Sequence, residues 1–303
     1  MIKRRQFLAA TAATAAALAW PSAQAAGGRI VRKIPKTGEP IGVIGMGSWI
    51  TFNVGADAAL RDARADVLRA FFAAGGGMVD SSPMYGSSED VIGYCLNRLK
   101  PEGGLFSATK VWTSGKAEGR EQFADSLRLW HLDKLDLYQV HNLVAWSDHL
   151  ETLVELKRQG RIRYIGITTS HGRSHHELEH VIATRPEFDF VQLTYNPADR
   201  EAEARLLPAA ADRGLGVIVN RPFRRGSLTD RMAGKPLPGW AAEIGCTGWP
   251  QVLLKYAVSH PAVTCAIPAT SQVPHMVENM AAGTGALPDA DLRRRIQNHI
   301  ATL

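Results

Sequence analysis

Residues 78–86 of this 303-residue chain read Met-Val-Asp-Ser-Ser-Pro-Met-Tyr-Gly, and the rest of the sequence is organised around them. Met78 and Val79 end a short apolar run that is typical of a buried strand, and Asp80 closes it. The Ser-Ser-Pro sequence then turns the chain, and Tyr85 follows in the same loop. A carboxylate and a phenol are therefore held together at the end of one strand.

The next two predicted strands also end on residues that can take part in acid–base chemistry. A strand over residues 105–109 ends at Lys110, and a strand over residues 135–140 ends at His141. Asp80, Lys110 and His141 are 30 and 31 residues apart, about the length of one strand, one helix and two loops. Since the ends of parallel strands share one rim of a (β/α) barrel, we expect these side chains to converge on one pocket. The alternative is a salt-bridged Asp–Lys pair, a surface histidine and a packed tyrosine.

These stretches resemble the aldo-keto reductase family. The resemblance rests on residues 79–86, on Ala-Thr-Lys-Val-Trp at 108–112 and on Leu-Tyr-Gln-Val-His-Asn at 137–142, and it extends over residues 41–279. It implies a (β/α)8 TIM barrel of the α/β class. It also implies that four residues form a catalytic tetrad, namely Asp80, Tyr85, Lys110 and His141.

The order of the predicted elements supports a single barrel independently. About eight strand–helix units alternate between residues 41 and 300, which favours an α/β fold with a parallel sheet. The first barrel strand is predicted over Ile41–Met46, after a hairpin over Arg32–Pro40 at the barrel bottom. A doubly wound sheet is the alternative, but the dinucleotide fingerprint that begins at Gly45 lacks its third glycine. Residues 220–247 form a longer Gly- and Pro-rich insertion, for which a cofactor belt and a partner surface are both open.

Residues 1–25 are predicted to be a signal peptide rather than part of the fold. Arg4-Arg5 precedes an Ala-rich apolar run that is too short for a typical membrane-spanning helix, and Ala-Gln-Ala at 23–25 offers a cleavage site. The pattern resembles a twin-arginine export signal. It predicts that the precursor binds the twin-arginine export machinery, and that residues 26–303 form one barrel domain in the periplasm without stable membrane insertion. A retained amphipathic anchor is the alternative, although the Ala run has no polar face.

Composition and charge are those of an ordinary globular enzyme, with 45% apolar and 21% charged residues. The formal charge of +6 falls to +3 without the leader, and no basic stripe carries interleaved aromatics, so we expect no nucleic-acid partner. The three cysteines, Cys95, Cys246 and Cys265, are too few and too scattered for a disulfide framework. No Cys/His cluster has the spacing of a metal site, and we expect no metal.

The resemblance implies a nicotinamide cofactor held by residues at the later strand ends. The family's usual Ser-Asn after strand five is Thr168-Thr169 here, and its Gln is kept as Gln192. The position of the aromatic residue that often stacks on the nicotinamide holds Asn220, for which Phe223 or the plane of Arg221 are the candidate substitutes. The predicted cofactor-binding residues are Ser48, Asp80, Thr168, Thr169, Gln192, Asn220, Arg221, Thr270, His275, Glu278 and Asn279.

The adenosine end departs from the family at the 2′-phosphate. The positions of the usual Lys and Arg hold Ala269 and His275, and a single His clamps phosphate less well than these cations do. Thr270 and His275 still offer donors to a phosphate. The sequence therefore predicts NADP as the cofactor, with NAD possible.

Together these residues predict hydride transfer between a nicotinamide and a carbonyl. Tyr85 donates a proton to the carbonyl oxygen, and since a free phenol has a pKa of about 10, the Lys110 ammonium is expected to make it a better acid. Asp80 holds Lys110, and His141 orients the carbonyl as a neutral imidazole. The predicted function is NAD(P)-dependent reduction of an aldehyde or ketone, or oxidation of the alcohol, on a small-molecule substrate.

Trp49 and Trp112 follow the first and third barrel strands, and the resemblance places both in the substrate pocket. A structural cap on the barrel top is the alternative for both. A pocket lined by them would favour aromatic or bulky apolar carbonyls. A nicotinamide-binding sensor or accessory subunit with little turnover is the alternative function, because the tetrad alone does not exclude it.

Overall fold

Eight parallel strands follow one another around a barrel, which confirms the predicted (β/α)8 fold. The structure is a computed structural model, and it describes residues 28–101 and 104–303. The predicted signal peptide lies outside the described residues. The barrel strands are β3 (Met46–Gly47), β4 (Met78–Asp80), β5 (Phe106–Val111), β6 (Leu135–Val140), β7 (Ile162–Thr168), β8 (Phe190–Thr194), β9 (Gly216–Asn220) and β10 (Val263–Ala266).

Two further strands, β1 (Val31–Lys33) and β2 (Pro40–Gly42), form the antiparallel hairpin that was predicted at the barrel bottom. The predicted first barrel strand, Ile41–Met46, is wrong, because its first half belongs to this hairpin and only Met46–Gly47 continues as β3. Gly45 lies between the two halves, where a Cβ would be 3.0 Å from the Met78 carbonyl oxygen. The passage of the chain so close to β4 favours glycine at this position.

The barrel closes between its first and last strands. The amide of Gly45 donates to the carbonyl of Ala266, whose own amide donates to Val43. Gly47 also bridges to Ala269. The residues after β3 and after β10 are therefore neighbours on the upper rim.

Helices follow the strands and cover the outside of the barrel. Their apolar faces and the outward side chains of the strands form the larger core cluster. The helices are α1 (Ala58–Ala73), α2 (Ser88–Leu99), α3 (Lys116–Trp130), α4 (Trp146–Arg158), α5 (His175–Thr184), α6 (Leu206–Asp212), α7 (Ser227–Met232), α8 (Trp249–Ser259), α9 (Val273–Ala281) and α10 (Ala290–Thr302).

The barrel interior is apolar at the bottom and polar at the top. Phe106, Tyr164 and Phe190 meet in the lumen with ring centroids 5.4–6.1 Å apart, and Ile34 of the hairpin region joins the same cluster from below. Because strand side chains alternate, the next inward position on β5 above Phe106 and Ala108 is Lys110. The alternation therefore places a layer of polar and charged side chains above the apolar layer in the barrel interior.

The insertion at residues 220–247 divides into two parts. Its first part, through Gly226 and Thr229, lines the cavity at the top of the barrel. Its second part packs Trp240 against Trp249 and the ring of His299 on α10. Only the first part is placed to contact a bound cofactor.

Candidate active site

Asp80 and Lys110 form a buried ion pair at the top of the barrel. The Lys110 ammonium lies 2.5 Å from Oδ1 of Asp80 and 2.6 Å from the carbonyl oxygen of Ser81. Both side chains are buried: that of Lys110 is 0% exposed and that of Asp80 is 2% exposed. Burial has the largest single effect on the pKa of Lys110 and lowers it, but Asp80, Tyr85 and Glu89 together outweigh burial, so the pKa of Lys110 is raised. Lys110 therefore stays charged although it has no contact with solvent.

The second carboxylate oxygen of Asp80 is held by two amides. Nε2 of Gln139 and Nε2 of Gln192 each donate to Oδ2 at 3.0 Å. Gln139 received no role from the sequence, although strand alternation on β6 places it in the lumen with Leu137. The carboxylate is thus fixed on three sides, which fixes the position of Lys110 in turn.

Tyr85 ends a single turn of 3₁₀ helix, Pro83–Tyr85, that follows β4. Its ring centroid lies 5.3 Å from the Lys110 ammonium, and the edge of the His141 ring meets it at 5.8 Å between centroids. Burial raises the pKa of Tyr85, while Lys110 lowers it and Asp80 raises it. Lys110 lowers the pKa of Tyr85 as expected, but burial outweighs it and the net pKa lies above that of a free phenol, so the expectation that Tyr85 is a better acid than a free phenol is wrong. Tyr85 is therefore a protonated phenol at neutral pH.

His141 is the first residue after β6, and it is neutral as predicted. Burial, and then the Lys110 charge, lower the pKa of His141 to about 3. Its Nδ1 lies 2.9 Å from Oγ of Ser82, and that Oγ accepts from the amide of Met84 at 3.2 Å. Either atom can donate in the contact between Ser82 and His141; when Ser82 donates to Nδ1, the imidazole proton lies on Nε2. The sequence showed Ser82 only as a turn residue.

A cavity of about 520 Å³ opens above these side chains, and it gathers most of the predicted site. The buried Lys110 lies beneath its floor rather than on its wall. The predicted site residues that line it are Ser48, Trp49, Asp80, Tyr85, His141, Thr168, Thr169, Gln192, Asn220, Arg221, Thr270, His275, Glu278 and Asn279.

Trp112 is the predicted substrate residue that the structure does not bring to the cavity. It is 43% exposed, and Gln122 of α3 holds its backbone through two hydrogen bonds of 2.8 and 2.9 Å. Trp49 does line the cavity, and the Arg225 guanidinium lies 4.4 Å from its ring centroid. Arg225 was not singled out from the sequence.

Ser48, Thr168 and Asn220 are already engaged with the protein. Ser48 is fully buried, and its Oγ is 3.0 Å from the carbonyl oxygen of Asp80. Oγ1 of Thr168 accepts from the amide of Asn142 at 2.9 Å. Asn220 donates to the carbonyl of Thr169 at 2.8 Å. A hydrogen bond to the rim thus holds the Asn220 side chain, at the position where the resemblance implies an aromatic residue.

The part of the cavity next to Thr169 shows whether a nicotinamide fits. The side-chain amides of Asn142 and Gln192 line the cavity there, and a carboxamide has donor and acceptor atoms of the kind that amides pair with, so the residues present suit the group. Oγ1 of Thr169 has no hydrogen-bond partner within residues 28–101 and 104–303, but that atom is closed off from the cavity.

The residues predicted for the adenosine end lie together at the start and along one side of α9. Thr270 is 7% exposed, and its Oγ1 accepts from the amide of Gln272 at 3.1 Å. Burial raises the pKa of Glu278, and His275 partly offsets this. A carboxylate oxygen of Glu278 lies only 2.0 Å from where a Cβ on Gly248 would be. Glycine at 248 is therefore what lets Glu278 pack at this end of the cavity.

Comparison with known proteins agrees with this geometry. Residues 43–299 match the model of the Aldo/keto reductase family, and the chain belongs to that family of nicotinamide-dependent oxidoreductases. It is 28% identical over 254 residues to methylglyoxal reductase YeaE of Escherichia coli (strain K12), covering 82% of this chain and 88% of that protein. It is also 28% identical to aldo-keto reductase YhdN of Bacillus subtilis (strain 168), over 66% of this chain and 63% of that one.

Solved structures share the fold. An aldo/keto reductase from Klebsiella pneumoniae, crystallised with NADP and acetate, superposes with a TM-score of 0.72 at 24% identity. The match covers 87% of this chain and 93% of that one. Among the residues that the structure describes, no helix has the length and apolarity to cross a membrane, and no group of three His, Cys, Asp or Glu side chains is arranged around a metal.

Proposed function

We propose that this chain reduces an aldehyde or ketone, or oxidises the corresponding alcohol, with Tyr85 as the proton donor. The observation that carries the proposal is the arrangement of Asp80, Lys110, Tyr85 and His141 at the floor of one cavity. Family membership supports the reaction class. The YeaE enzyme, a methylglyoxal reductase by name, supports a carbonyl substrate.

We propose NADP as the cofactor, with NAD as a second possibility. The side-chain amides of Asn142 and Gln192 at the cavity support a carboxamide at the nicotinamide end, and the grouping of Thr270 and His275 supports a phosphate at the other. The relative from Klebsiella pneumoniae was crystallised with NADP. Hydride is what a bound nicotinamide supplies to the reaction.

The protein's own residues supply the proton and the orientation. The protonated phenol of Tyr85 donates to the carbonyl oxygen as negative charge develops there, and Nε2–H of His141 donates a second hydrogen bond to the same oxygen. Lys110 stabilises the resulting phenolate, because its ammonium is close to the ring and cannot lose its proton easily. Positioned acid catalysis of this kind contributes about 10² to 10⁴-fold.

A direct assay separates this function from that of a nicotinamide-binding sensor. The purified protein is mixed with NADPH and a test aldehyde, and cofactor oxidation is followed by its absorbance. Turnover that requires the aldehyde supports the enzyme. Tight nucleotide binding with no turnover of any carbonyl would support the sensor instead.

We also propose that the mature protein works in the periplasm after twin-arginine export, with its cofactor loaded before export and retained. The proposal rests on Arg4-Arg5 ahead of the apolar run, and on the first part of the insertion, which lies at the cavity. Replacing Arg4-Arg5 by Lys-Lys is expected to leave the precursor in the cytoplasm. Active periplasmic enzyme without nucleotide, and with fast exchange of added cofactor, would contradict retention.

A further inference from the structure

The mouth of the cavity has an apolar side. Trp49, Ile50 and Met84 line it on the loops after β3 and β4, and Ile50 and Met84 are 58% and 41% exposed. Ile50 has a φ of 63°, which a β-branched residue rarely adopts. An unusual backbone conformation therefore holds an apolar side chain at the opening.

The opposite side of the mouth is cationic. His171, Arg221 and Arg225 line it on the loops after β7 and β9, and Arg173 lies on the same loop as His171. Among the described residues, no carboxylate lies within ion-pair distance of Arg173, Arg221 or Arg225.

The neighbouring cations lie close enough to Arg221 to lower its pKa. Burial lowers the pKa of Arg221, and the charges of Arg225 and Arg173 lower it further, while Asp199 raises it. Asp199 itself pairs with the adjacent Arg224 at 3.2 Å. The mouth therefore presents positive charge that Asp199, which is paired with Arg224, offsets only in part.

The two sides meet where Arg225 stacks on Trp49. The guanidinium carbon lies over the ring, 4.4 Å from its centroid. The guanidinium forms no hydrogen bond with the described residues, so its N–H donors remain available to bind a carboxylate in bidentate fashion. Arg221 also acts on the proposed proton donor, because its charge lowers the pKa of Tyr85.

We propose, on the basis of the proposed function, that the substrate is a carbonyl compound with an aromatic or apolar body and an anionic group. The apolar side of the mouth receives the body, and Arg225, with Arg221 beside it, binds the anion. The phosphates of a dinucleotide are the competing use for these arginines, so the experiment must separate the two.

The test compares 4-carboxybenzaldehyde with its neutral methyl ester, which have the same aromatic body and reacting group. We expect kcat/KM with NADPH for the carboxylate, relative to the ester, to be up to about fivefold higher in the wild type than in Arg225→Gln at low salt, the size of effect that a partly exposed ion pair gives. This difference should shrink as salt is added. Arg225→Lys should restore part of it because the charge returns.

Arg224 provides the matched control. It is the neighbouring arginine, has the same positive φ and is already paired with Asp199, so Arg224→Gln should leave the carboxylate-to-ester ratio unchanged. The ester makes its aldehyde intrinsically more reactive, so the deciding quantity is the carboxylate-to-ester ratio of kcat/KM in the wild type compared with Arg225→Gln. The proposal is overturned if the two ratios are equal, or if Arg225→Gln weakens NADPH binding and leaves the ratio unchanged. The proposed function fails only if no carbonyl compound turns over. If just these two aldehydes do not turn over, their binding to the protein with NADP, measured by Trp fluorescence, gives the same comparison.

Discussion

The ammonium of Lys110 lies 2.5 Å from Oδ1 of Asp80 with both side chains out of solvent, and 5.3 Å from the centre of the Tyr85 ring. The ion pair thus lies directly below the proposed acid. Its burial makes it costly to disturb, and its position makes it an electrostatic influence on the phenol. The proposed mechanism depends on the stability of this ion pair and on its electrostatic effect on Tyr85, and the two can be tested separately.

Lys110→Met should change both the pH profile and the stability. Because the Lys110 charge lowers the pKa of Tyr85, its loss should move the basic limb of the pH–rate profile for reduction to higher pH. Leaving the Asp80 carboxylate unpaired should cost about 3–5 kcal/mol of unfolding free energy. Lys116→Met is the control, since it breaks only an exposed pair with Glu151 and should change the unfolding free energy far less. An unchanged pH profile would exclude the electrostatic role.

His141 should make stability depend on pH in a defined window. Its pKa is about 3 in the folded protein against 6.5 as the ordinary value, so the unfolded chain binds the proton more readily. The stabilising contribution is complete above about pH 6.5 and is lost as pH falls toward 3, at about 1.4 kcal/mol per pH unit. His141→Gln should flatten urea-unfolding free energies over this window. Parallel curves for the two proteins would show that His141 is not held neutral.

Thr169 and Thr168 should respond oppositely to loss of the hydroxyl. Thr169→Val removes a buried oxygen without a partner among the described residues, so the unfolding free energy of the cofactor-free protein should stay equal or rise. Thr168→Val removes the acceptor of the Asn142 amide and should cost about 1 kcal/mol. Urea unfolding of both variants measures the difference, and an equal loss of stability in Thr169→Val would show that its hydroxyl is hydrogen-bonded after all.

Cofactor choice should be relaxed at the 2′-phosphate. With Ala269 and His275 at the phosphate positions, fluorescence titration should give a preference for NADP over NAD of less than about 10³-fold, or roughly 4 kcal/mol. His275→Ala should weaken NADP binding more than NAD binding, and Ala269→Lys should strengthen NADP alone. A larger wild-type preference would mean that another residue holds the phosphate.

Some of this site could be predicted because strand period and strand ends are local properties of the sequence. Asp80, Lys110 and His141 each close an apolar run, and a parallel barrel brings such ends together. Gln192 and Asn220 follow from the same rule. Their positions on the rim could be predicted without knowing any contact between side chains.

The other features of the site depend on contacts between residues that the spacing of residues in the sequence does not predict. Gln139 matters because its amide reaches Oδ2 of Asp80, 59 residues away, and the contact of Arg225 with Trp49 joins opposite loops. The pKa of Tyr85 depends on burial as well as on Lys110, and only the structure gives both. Trp112 follows its strand as expected, but Gln122 holds its backbone against α3.

The measurement that tests the central claim most directly is the rate of carbonyl reduction by Tyr85→Phe. Phe keeps the ring against Lys110 and His141 and removes only the hydroxyl that donates the proton. The account predicts a fall in kcat of about 10² to 10⁴-fold, with the Kd for NADPH nearly unchanged. A variant that keeps more than about a tenth of the wild-type rate, short of that acid–base contribution, would show that another group is the acid.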